Sequence, residues 1–312
     1  MAISRSKWDS FIKCPLCFYL LEKHQIKPPD TPGHPINSRV DSLLKEEFDE
    51  LRAKGEPHPI FKEYNLNFVP YNGLDPETLK KYRFNRSGVR AKSKKTGIEI
   101  FGALDDLWLN KDTDEIVVLD YKATSNKKLE DYTSSDKHYH KSYLRQLDFY
   151  AYLLKLNDFK VHDTGYWLIC NAQDESQKTF NKKVNFKTTL LPYKLKTDYI
   201  EDTLVDLKAC LDSEKMPNSG SDCDNCRWYN EKINLKKNNV DEDIKESLKK
   251  ELEAMGFEKE IIKIALPYLI EIIKKRSTES ISLRSHLKEF EEFLKKLQNK
   301  DKNFKKKLEE IE

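Results

Sequence analysis

The spacing of hydrophobic residues along residues 1–235 predicts a mixed α/β domain. Apolar residues three and four positions apart predict helices at residues 38–54, 143–156 and 197–211, and Gly55 is a typical stop after the first of them. Apolar runs next to turn residues predict strands at residues 98–109, 115–121, 164–170 and 184–191. We therefore expect helices and strands to alternate along this part of the chain.

The first two predicted strands form a β-hairpin. Residues 110–114, between them, are Asn, Lys, Asp, Thr and Asp, which is typical turn composition. A turn centred between residues 112 and 113 places Asp105 opposite Asp120. Because residues two apart on a strand share a face, Lys122 projects on the same side as this pair. Asp106 is predicted to project from the opposite face, together with Trp108 and Tyr121.

The facing pair of aspartates indicates a metal site. Two like charges directly opposed destabilise a hairpin, and a divalent cation removes the repulsion. Mg²⁺ and Mn²⁺ prefer carboxylate and carbonyl oxygens and keep several waters, which leaves room for a phosphate. A neighbouring lysine can position the attacking water or stabilise charge on the transition state. The alternative is a surface hairpin with solvated charges, and a shift of one residue in register would remove the pairing.

Four of the six cysteines form two C-x-x-C pairs, Cys14 with Cys17 and Cys223 with Cys226. Residues 1–8 are too polar for a signal peptide, so a cytoplasmic protein with thiols or metal ligands is expected rather than disulfides. The spacing suits tetrahedral Zn²⁺ and is also compatible with a 4Fe–4S cluster. The alternative is four unrelated buried thiols. Cys170 and Cys210 stand outside the pairs and are predicted to be core residues.

Charge over the whole chain is nearly balanced, with 56 Lys and Arg against 53 Asp and Glu. Residues 80–95 nevertheless hold eight basic residues and no acidic one, with Tyr82 and Phe84 between them. Such a segment can neutralise phosphates and stack unpaired bases, although a solvated charged loop is the alternative. DNA is therefore the predicted partner. The predicted contacts are Lys81, Arg83, Arg86, Arg90 and Lys92.

Residues 236–312 are rich in Lys, Glu, Leu and Ile and predict a helical extension. Residues 260–274 are apolar on most sides and contain Pro267, which predicts a kinked helix. A heptad pattern typical of a coiled coil covers residues 283–311 and needs a partner helix, from this chain, a second copy or another protein such as a helicase. No run of about 18 apolar residues exists, so no membrane span is predicted.

Several of these motifs resemble those of one nuclease family. Gly102-Ala103-Leu104-Asp105 followed by Val118-Leu119-Asp120-Tyr121-Lys122 resembles the G-x-x-D and D-x-K core of the PD-(D/E)XK nuclease superfamily. The likeness is greatest to the branch of RecB-type nuclease domains and CRISPR-associated iron–sulfur exonucleases. Residues 4–15, residues 145–150 and the pair at Cys223 and Cys226 resemble that branch's N-terminal helix, Q-x-x-x-Y helix and C-terminal cysteine cluster. The resemblance implies a restriction-endonuclease-like core, a central mixed sheet flanked by helices.

The resemblance also implies roles for matched residues. Asp105, Asp120 and the Tyr121 carbonyl would ligate Mg²⁺ or Mn²⁺, and Lys122 would be the catalytic lysine. Gln146 and Tyr150 would lie near the site on one face of a helix, with ordinary boundary packing as the alternative.

Two departures from the family pattern affect the metals. Asp41 stands where many relatives have a metal-binding His on the first long helix, so it is either a harder ligand or a helix residue without a metal role. His34 precedes the helix and is a weaker substitute. The relatives' third C-terminal cysteine falls at Lys232, and Cys17 restores the count to four. The resemblance favours 4Fe–4S, whereas spacing alone also allows Zn²⁺.

Together these features predict a metal-dependent DNA nuclease that hydrolyses phosphodiester bonds in repair, recombination or defence. The alternative is a non-catalytic nucleic-acid-binding module that retains the nuclease fold. The intact set of Asp105, Asp120 and Lys122 favours the nuclease, and the missing His favours the module.

Overall fold

The computed structural model describes residues 2–28, 33–126, 129, 131–172 and 177–276. The chain divides into two compact units, Met1–Cys223 and Asp224–Glu312. In chain order the elements are β1 (Ala2–Ser4), α1 (Arg5–Lys13), α2 (Pro15–His24), α3 (Pro35–Lys54), α4 (Pro59–Glu63), β2 (Phe68–Pro70), α5 (Pro76–Arg83), β3 (Val89–Lys92), β4 (Glu99–Gly102), β5 (Asp106–Asn110), β6 (Glu115–Thr124), α6 (His138–Leu156), β7 (Thr164–Asn171), β8 (Lys187–Lys194), α7 (Ile200–Asp212), α8 (Asp224–Ala254) and α9 (Lys259–Arg276).

A five-stranded mixed sheet forms the centre of the first unit, with strand order β2-β5-β6-β7-β8. β5 and β6 are antiparallel because a short turn joins them, whereas β6 and β7 are parallel because the chain returns through α6. A smaller sheet has the order β1-β4-β3, and its first strand pairs in parallel with β4. These elements give the α/β core, a mixed sheet with flanking helices, that the resemblance implies.

Side chains of β6 alternate between two hydrophobic cores, one on each face of the sheet. Ile116 and Val118 pack into the core that contains the inner face of α6. Val117 and Leu119 pack into the other core, with Leu44 and Phe48 of α3. The sheet is therefore buried on both sides, and residues of α3 and α6 can reach opposite faces of the same strand.

The predicted hairpin register is confirmed, since Asp106 pairs with Leu119 and Leu107 with Val118. The single strand predicted at residues 98–109 is wrong, because β4 and β5 belong to different sheets. The break coincides with a contact to a residue distant in sequence: the Leu104 amide leaves the strand ladder and donates a 3.0 Å hydrogen bond to the Tyr82 carbonyl. Asp105 consequently lies in the gap between the two strands and not within one.

The second unit contains α8 and α9, which pack through one apolar cluster. Its buried members include Leu248, Leu252, Ile261 and Leu269. The division predicted after residue 235 falls inside α8, and Pro267 lies inside α9. The heptads predicted at residues 283–311 lie outside the described residues. Among the described residues, no helix combines the length and apolar composition needed to cross a bilayer.

Candidate active site and cysteine centre

Asp105, Asp120 and Lys122 converge at the end of the β5–β6 hairpin. Asp120 and Lys122 lie two residues apart on β6 and share a face. Asp105 immediately precedes β5, and its carboxylate lies within hydrogen-bonding reach of Asp120. The Tyr121 backbone amide holds Asp105 in this place with a 2.9 Å hydrogen bond to Oδ2. The structure thus brings together the three residues that the sequence places on one face.

Gln146 of α6 forms hydrogen bonds with both Asp120 and Lys122 of β6. Its Nε2 donates a 2.6 Å hydrogen bond to Asp120 Oδ1, and its Oε1 accepts one of 3.4 Å from Lys122 Nζ. Lys122 also donates directly to Asp120 Oδ2 and lies 4.5 Å from the centre of the Tyr143 ring. The ammonium of Lys122 is therefore fixed by a carboxylate, an amide and an aromatic face.

Tyr150 lies one helical turn beyond Gln146 and extends the same network. Its hydroxyl oxygen accepts a 3.0 Å hydrogen bond from Gln146 Nε2, and the Arg5 guanidinium lies close enough for its charge to interact with this hydroxyl. Gly102 makes room for the ring, because a Cβ at that position would lie 2.9 Å from Tyr150 Cε1. This close approach gives the glycine of the G-x-x-D motif a steric reason.

Sequence reasoning did not single out Arg5, although the Ser4-Arg5-Ser6-Lys7 stretch was part of the resemblance. β1 pairs with β4 up to Phe101, so the residue after β1 arrives beside Gly102 and the carboxylates. Arg5 is close enough to Asp120 for their charges to interact. The sequence signal that could have found it is its place in this stretch of the resemblance.

Burial makes the carboxylate pair electrostatically unusual. Desolvation raises the pKa of Asp120 to about 7; Lys122 opposes this rise and the Asp105 carboxylate adds to it. Burial also raises the pKa of Tyr150 to about 12, with the two carboxylates adding to the effect. A cation bound beside Asp120 would favour its ionised form.

Asp106 serves the opposite face of the sheet, as predicted. It is fully buried and accepts a 2.9 Å hydrogen bond from the Tyr121 hydroxyl. Arg52 of α3 pairs with its Oδ1, and Arg83 Nη2 lies 3.0 Å from the same oxygen. A buried carboxylate with two guanidinium partners holds α3 and α5 to the sheet.

Asp41 lies on α3 at the position of the family histidine, near Asp105. Its Oδ2 lies 2.8 Å from Lys45 Nζ, and the same ammonium lies 3.5 Å from Asp105 Oδ1. Burial and the Asp105 charge raise the pKa of Asp41, while Lys45 lowers it. Asp41 therefore lies near Asp105, its role as a metal ligand stays a prediction, and the sequence does not reveal Lys45.

The donor set fits a divalent cation. Asp105 and Asp120 supply hard carboxylate oxygens within reach of one another, which is the chemistry that Mg²⁺ and Mn²⁺ prefer. Tyr121 lies between Asp120 and Lys122 and turns its hydroxyl to Asp106. The role predicted for its carbonyl stays a prediction.

The four cysteines of the two C-x-x-C pairs form a compact group. The Sγ atoms of Cys14, Cys17, Cys223 and Cys226 all lie within 4.8 Å of one another, and those of Cys17 and Cys223 are 3.6 Å apart. This group of thiols can hold a metal. Cys170 is buried in the core, as predicted, and Cys210 is half-buried on α7.

Backbone amides surround Cys14 in the manner of a ligand thiolate. The amides of Gly220 and Cys17 donate to its Sγ at 3.2 and 3.4 Å. Burial raises the pKa of the Cys14 thiol, but these hydrogen bonds bring it below its ordinary value. Gly220 permits the approach, because a Cβ there would lie 2.1 Å from the Lys13 carbonyl oxygen.

The basic segment spans α5, a turn and β3 and is not a loop. Lys81 and Arg86 are exposed, and Phe84 is 57% exposed. Arg90 lies 3.0 Å from Glu99, so its charge is partly neutralised, and Lys92 ends the strand in solvent. An open cavity of about 1200 Å³ adjoins the segment, and its lining includes Lys45, Lys80, Lys81 and Phe84.

Arg83 does not belong to this basic surface. Its side chain is only 12% exposed, and Nη1 lies 2.7 Å from Asp49 Oδ2. Nε donates a 3.0 Å hydrogen bond to the Asp105 carbonyl. The predicted phosphate contact is therefore corrected to ion pairs with Asp49 and Asp106 at the wall of the cavity, because these carboxylates already hold its guanidinium.

Comparison with known proteins agrees with this geometry. The model of the PD-(D/E)XK nuclease superfamily matches residues 2–230, which include every residue of the site described above. A search of curated proteins finds no significant match. The match is to the superfamily as a whole, so the RecB-type branch stays a prediction. Since it covers most of the chain and its central motifs meet in one place, this chain belongs to the PD-(D/E)XK nuclease superfamily.

Proposed function

We propose that this chain is a divalent-metal-dependent nuclease that hydrolyses phosphodiester bonds in DNA. The observation that carries the proposal is the convergence of Asp105, Asp120, Lys122 and Gln146 at the end of the β5–β6 hairpin. Superfamily membership supports the reaction class, and the exposed cations of residues 80–92 support a polyanionic substrate.

The residues divide the chemical work. Asp105 and Asp120 would hold the cation, which when bound lowers the pKa of a water molecule and neutralises charge on the phosphate. Lys122 would stabilise negative charge that develops on the phosphate oxygens, because its ammonium is held beside the carboxylates. Gln146 orients both Asp120 and Lys122, and Tyr150 orients Gln146.

DNA would follow the exposed part of the basic segment towards the carboxylates. Lys80, Lys81 and Arg86 offer charges for phosphates, and the exposed Phe84 ring offers a face for a base. The cavity that Lys80 and Phe84 line is also lined by Asp41 and Lys45, close to Asp105. This arrangement supports binding of a strand from the basic segment towards Asp105.

The cysteine group would hold a structural metal, and its spacing favours one Zn²⁺ ion over the 4Fe–4S cluster that the resemblance implies. A tetrahedral ion with Zn–S bonds of about 2.3 Å brings its sulfurs about 3.8 Å apart. The Cys17 and Cys223 sulfurs are 3.6 Å apart. A 4Fe–4S cluster attaches each thiolate to a different iron and needs wider spacing.

A nuclease assay of the full-length chain tests the main proposal. End-labelled single- and double-stranded DNA would be incubated with Mg²⁺ or Mn²⁺ and wild type, Asp120→Asn or Asp112→Asn, the last a matched control in the exposed hairpin turn. We expect cleavage by wild type and the control, abolished by EDTA and reduced at least about 100-fold in Asp120→Asn. DNA binding without cleavage in either metal would favour the non-catalytic module, and full activity of Asp120→Asn would overturn the assigned site.

A further inference from the structure

Lys45 is a cation that no motif assigns, and it lies between two carboxylates at the edge of the site. It follows Asp41 by one helical turn on α3, and its Nζ lies 2.8 Å from Asp41 Oδ2 and 3.5 Å from Asp105 Oδ1. The side chains of Lys45 and Asp105 are each 22% exposed and that of Asp41 is 35% exposed, so solvent screens these charges only in part.

The ammonium lies where Asp41 and Asp105 would otherwise share a divalent ion. The two carboxylates carry like charges and lie on either side of one ammonium, within 2.8 and 3.5 Å of Lys45 Nζ. The positive charge of the Lys45 side chain balances the negative charge of both carboxylates. A divalent ion at the same place would have to displace an ammonium that is held by an i,i+4 ion pair within the helix.

The Asp120 side of the pair is built differently. There Lys122 and Gln146 contact Asp120 from β6 and α6, whereas Lys45 contacts Asp105 from α3. Asp105 therefore faces a carboxylate, Asp120, on one side and a lysine on the other. The position between Asp105 and Asp120 can therefore take a divalent cation, whereas the position between Asp105 and Asp41 already holds an ammonium.

We propose that Lys45 is a positioning residue that takes the place of a second metal ion, so that the site binds one divalent ion, through Asp105 and Asp120. Asp41 anchors Lys45 and is not a metal ligand, which explains how a carboxylate can stand at the position of the family histidine. Two-metal nucleases use the second ion to stabilise charge on the phosphate, and here a fixed ammonium on the rim of the cavity provides that charge. The inference rests on the proposed function.

Binding of Mn²⁺ alone, followed on the full-length chain by the electron paramagnetic resonance signal of free Mn²⁺, tests this assignment. Mn²⁺ prefers oxygen ligands, so the cysteines do not compete for it. We expect one Mn²⁺ per chain in wild type and two in Lys45→Met, which removes the charge and keeps the length. Lys45→Arg should restore one, and Lys62→Met, an exposed lysine on α4, should bind one. Two ions in wild type, or one in a folded Lys45→Met, would overturn the proposal.

A second comparison separates Asp41 from the ligands. Asp41→Asn should change the Kd for Mn²⁺ less than about threefold, whereas Asp105→Asn should weaken binding by tenfold or more. Equal weakening of Mn²⁺ binding in both variants would show that Asp41 is a ligand. This result would contradict the inference but not the proposed nuclease function. No effect of Asp105→Asn would instead remove the metal site on which the proposed function depends.

Discussion

The Tyr121 backbone amide donates to Asp105, while the Tyr121 hydroxyl donates to Asp106. One residue of β6 thus holds two adjacent aspartates on opposite faces of the sheet. Asp105 faces the Asp120 carboxylate and Asp106 faces a buried pair of arginines.

Substitutions of the two aspartates should therefore have different effects on activity and stability. Asp105→Ala should reduce DNA cleavage by orders of magnitude with little change in unfolding free energy, because the side chain is partly exposed and faces the proposed metal site. Asp106→Ala should lower the unfolding free energy by about 3–5 kcal/mol, since it leaves two buried guanidinium groups without their carboxylate. Urea denaturation and the cleavage assay measure both effects. A stable but inactive Asp106→Ala protein would contradict the assignment.

Gln146 should matter more for cleavage than Tyr150. Gln146→Leu removes the contacts to both Asp120 and Lys122, whereas Tyr150→Phe removes one hydroxyl that contacts Gln146 and Arg5. We expect losses of about 100-fold and about 10-fold respectively in the single-turnover rate. The reverse order would show that the tyrosine hydroxyl acts on the substrate directly.

Only the outward-facing part of the basic segment should bind DNA. Lys81→Ala should weaken binding severalfold for all sequences and reduce the slope of log K against log salt by about 1. Lys95→Ala is the matched control, because Asp202 pairs with this lysine. Fluorescence anisotropy at several salt concentrations measures these effects, and equal losses in both variants would argue against a defined surface.

Metal loss should unfold the cysteine centre. Cys223→Ser should remove the bound metal, measured by mass spectrometry, and lower the unfolding free energy by several kcal/mol. Cys210→Ala should retain the metal, since this thiol lies outside the group. About one zinc per chain would agree with the sulfur spacing. A brown protein with about four irons and absorption near about 400 nm would establish the cluster instead.

Asp148 should make the stability of the domain depend on pH. Burial raises its pKa to about 6, against hydrogen bonds from the Lys196 amide and from Tyr199 and Tyr193. In the unfolded chain the pKa is about 4, so the folded state binds more protons between these values. This contribution to stability therefore falls as pH rises through that window and is constant above it.

The measurement is the stability of Asp148→Asn relative to wild type at two pH values. The penalty of the substitution should shrink by about 1 kcal/mol between about pH 5 and about pH 7.5. Asp206→Asn, at an exposed position on α7, should show no such trend. A penalty that is independent of pH would mean that Asp148 is ionised throughout this range.

The sequence predicts features set by local patterns and misses those set by distant contacts. The hairpin register follows from the turn and from alternation on two adjacent strands, so the facing aspartates could be identified. The break after Gly102 depends on Tyr82, some twenty residues earlier, and resembles continuing strand in the sequence. Lys45 could not be identified from the sequence for the same reason, because only the packing of α3 against the sheet brings it to Asp105.

Arg83 shows the limit of arguments from charge alone. Within the sequence it is one cation among eight, and nothing local separates it from Lys81. Its partners Asp49 and Asp106 come from α3 and β5. Burial of a charge is thus decided by tertiary packing, which a run of basic residues cannot encode by itself.

The contact between Cys17 and Cys223 also constrains how the protein folds during synthesis. A ribosome releases the amino terminus first, so the first two cysteines emerge about 200 residues before the last two. β1 likewise has to await β4 before it can pair. The domain can therefore finish folding only after nearly all of it has been synthesised. Because this final folding step forms long-range contacts, it should be slow compared with the formation of single helices.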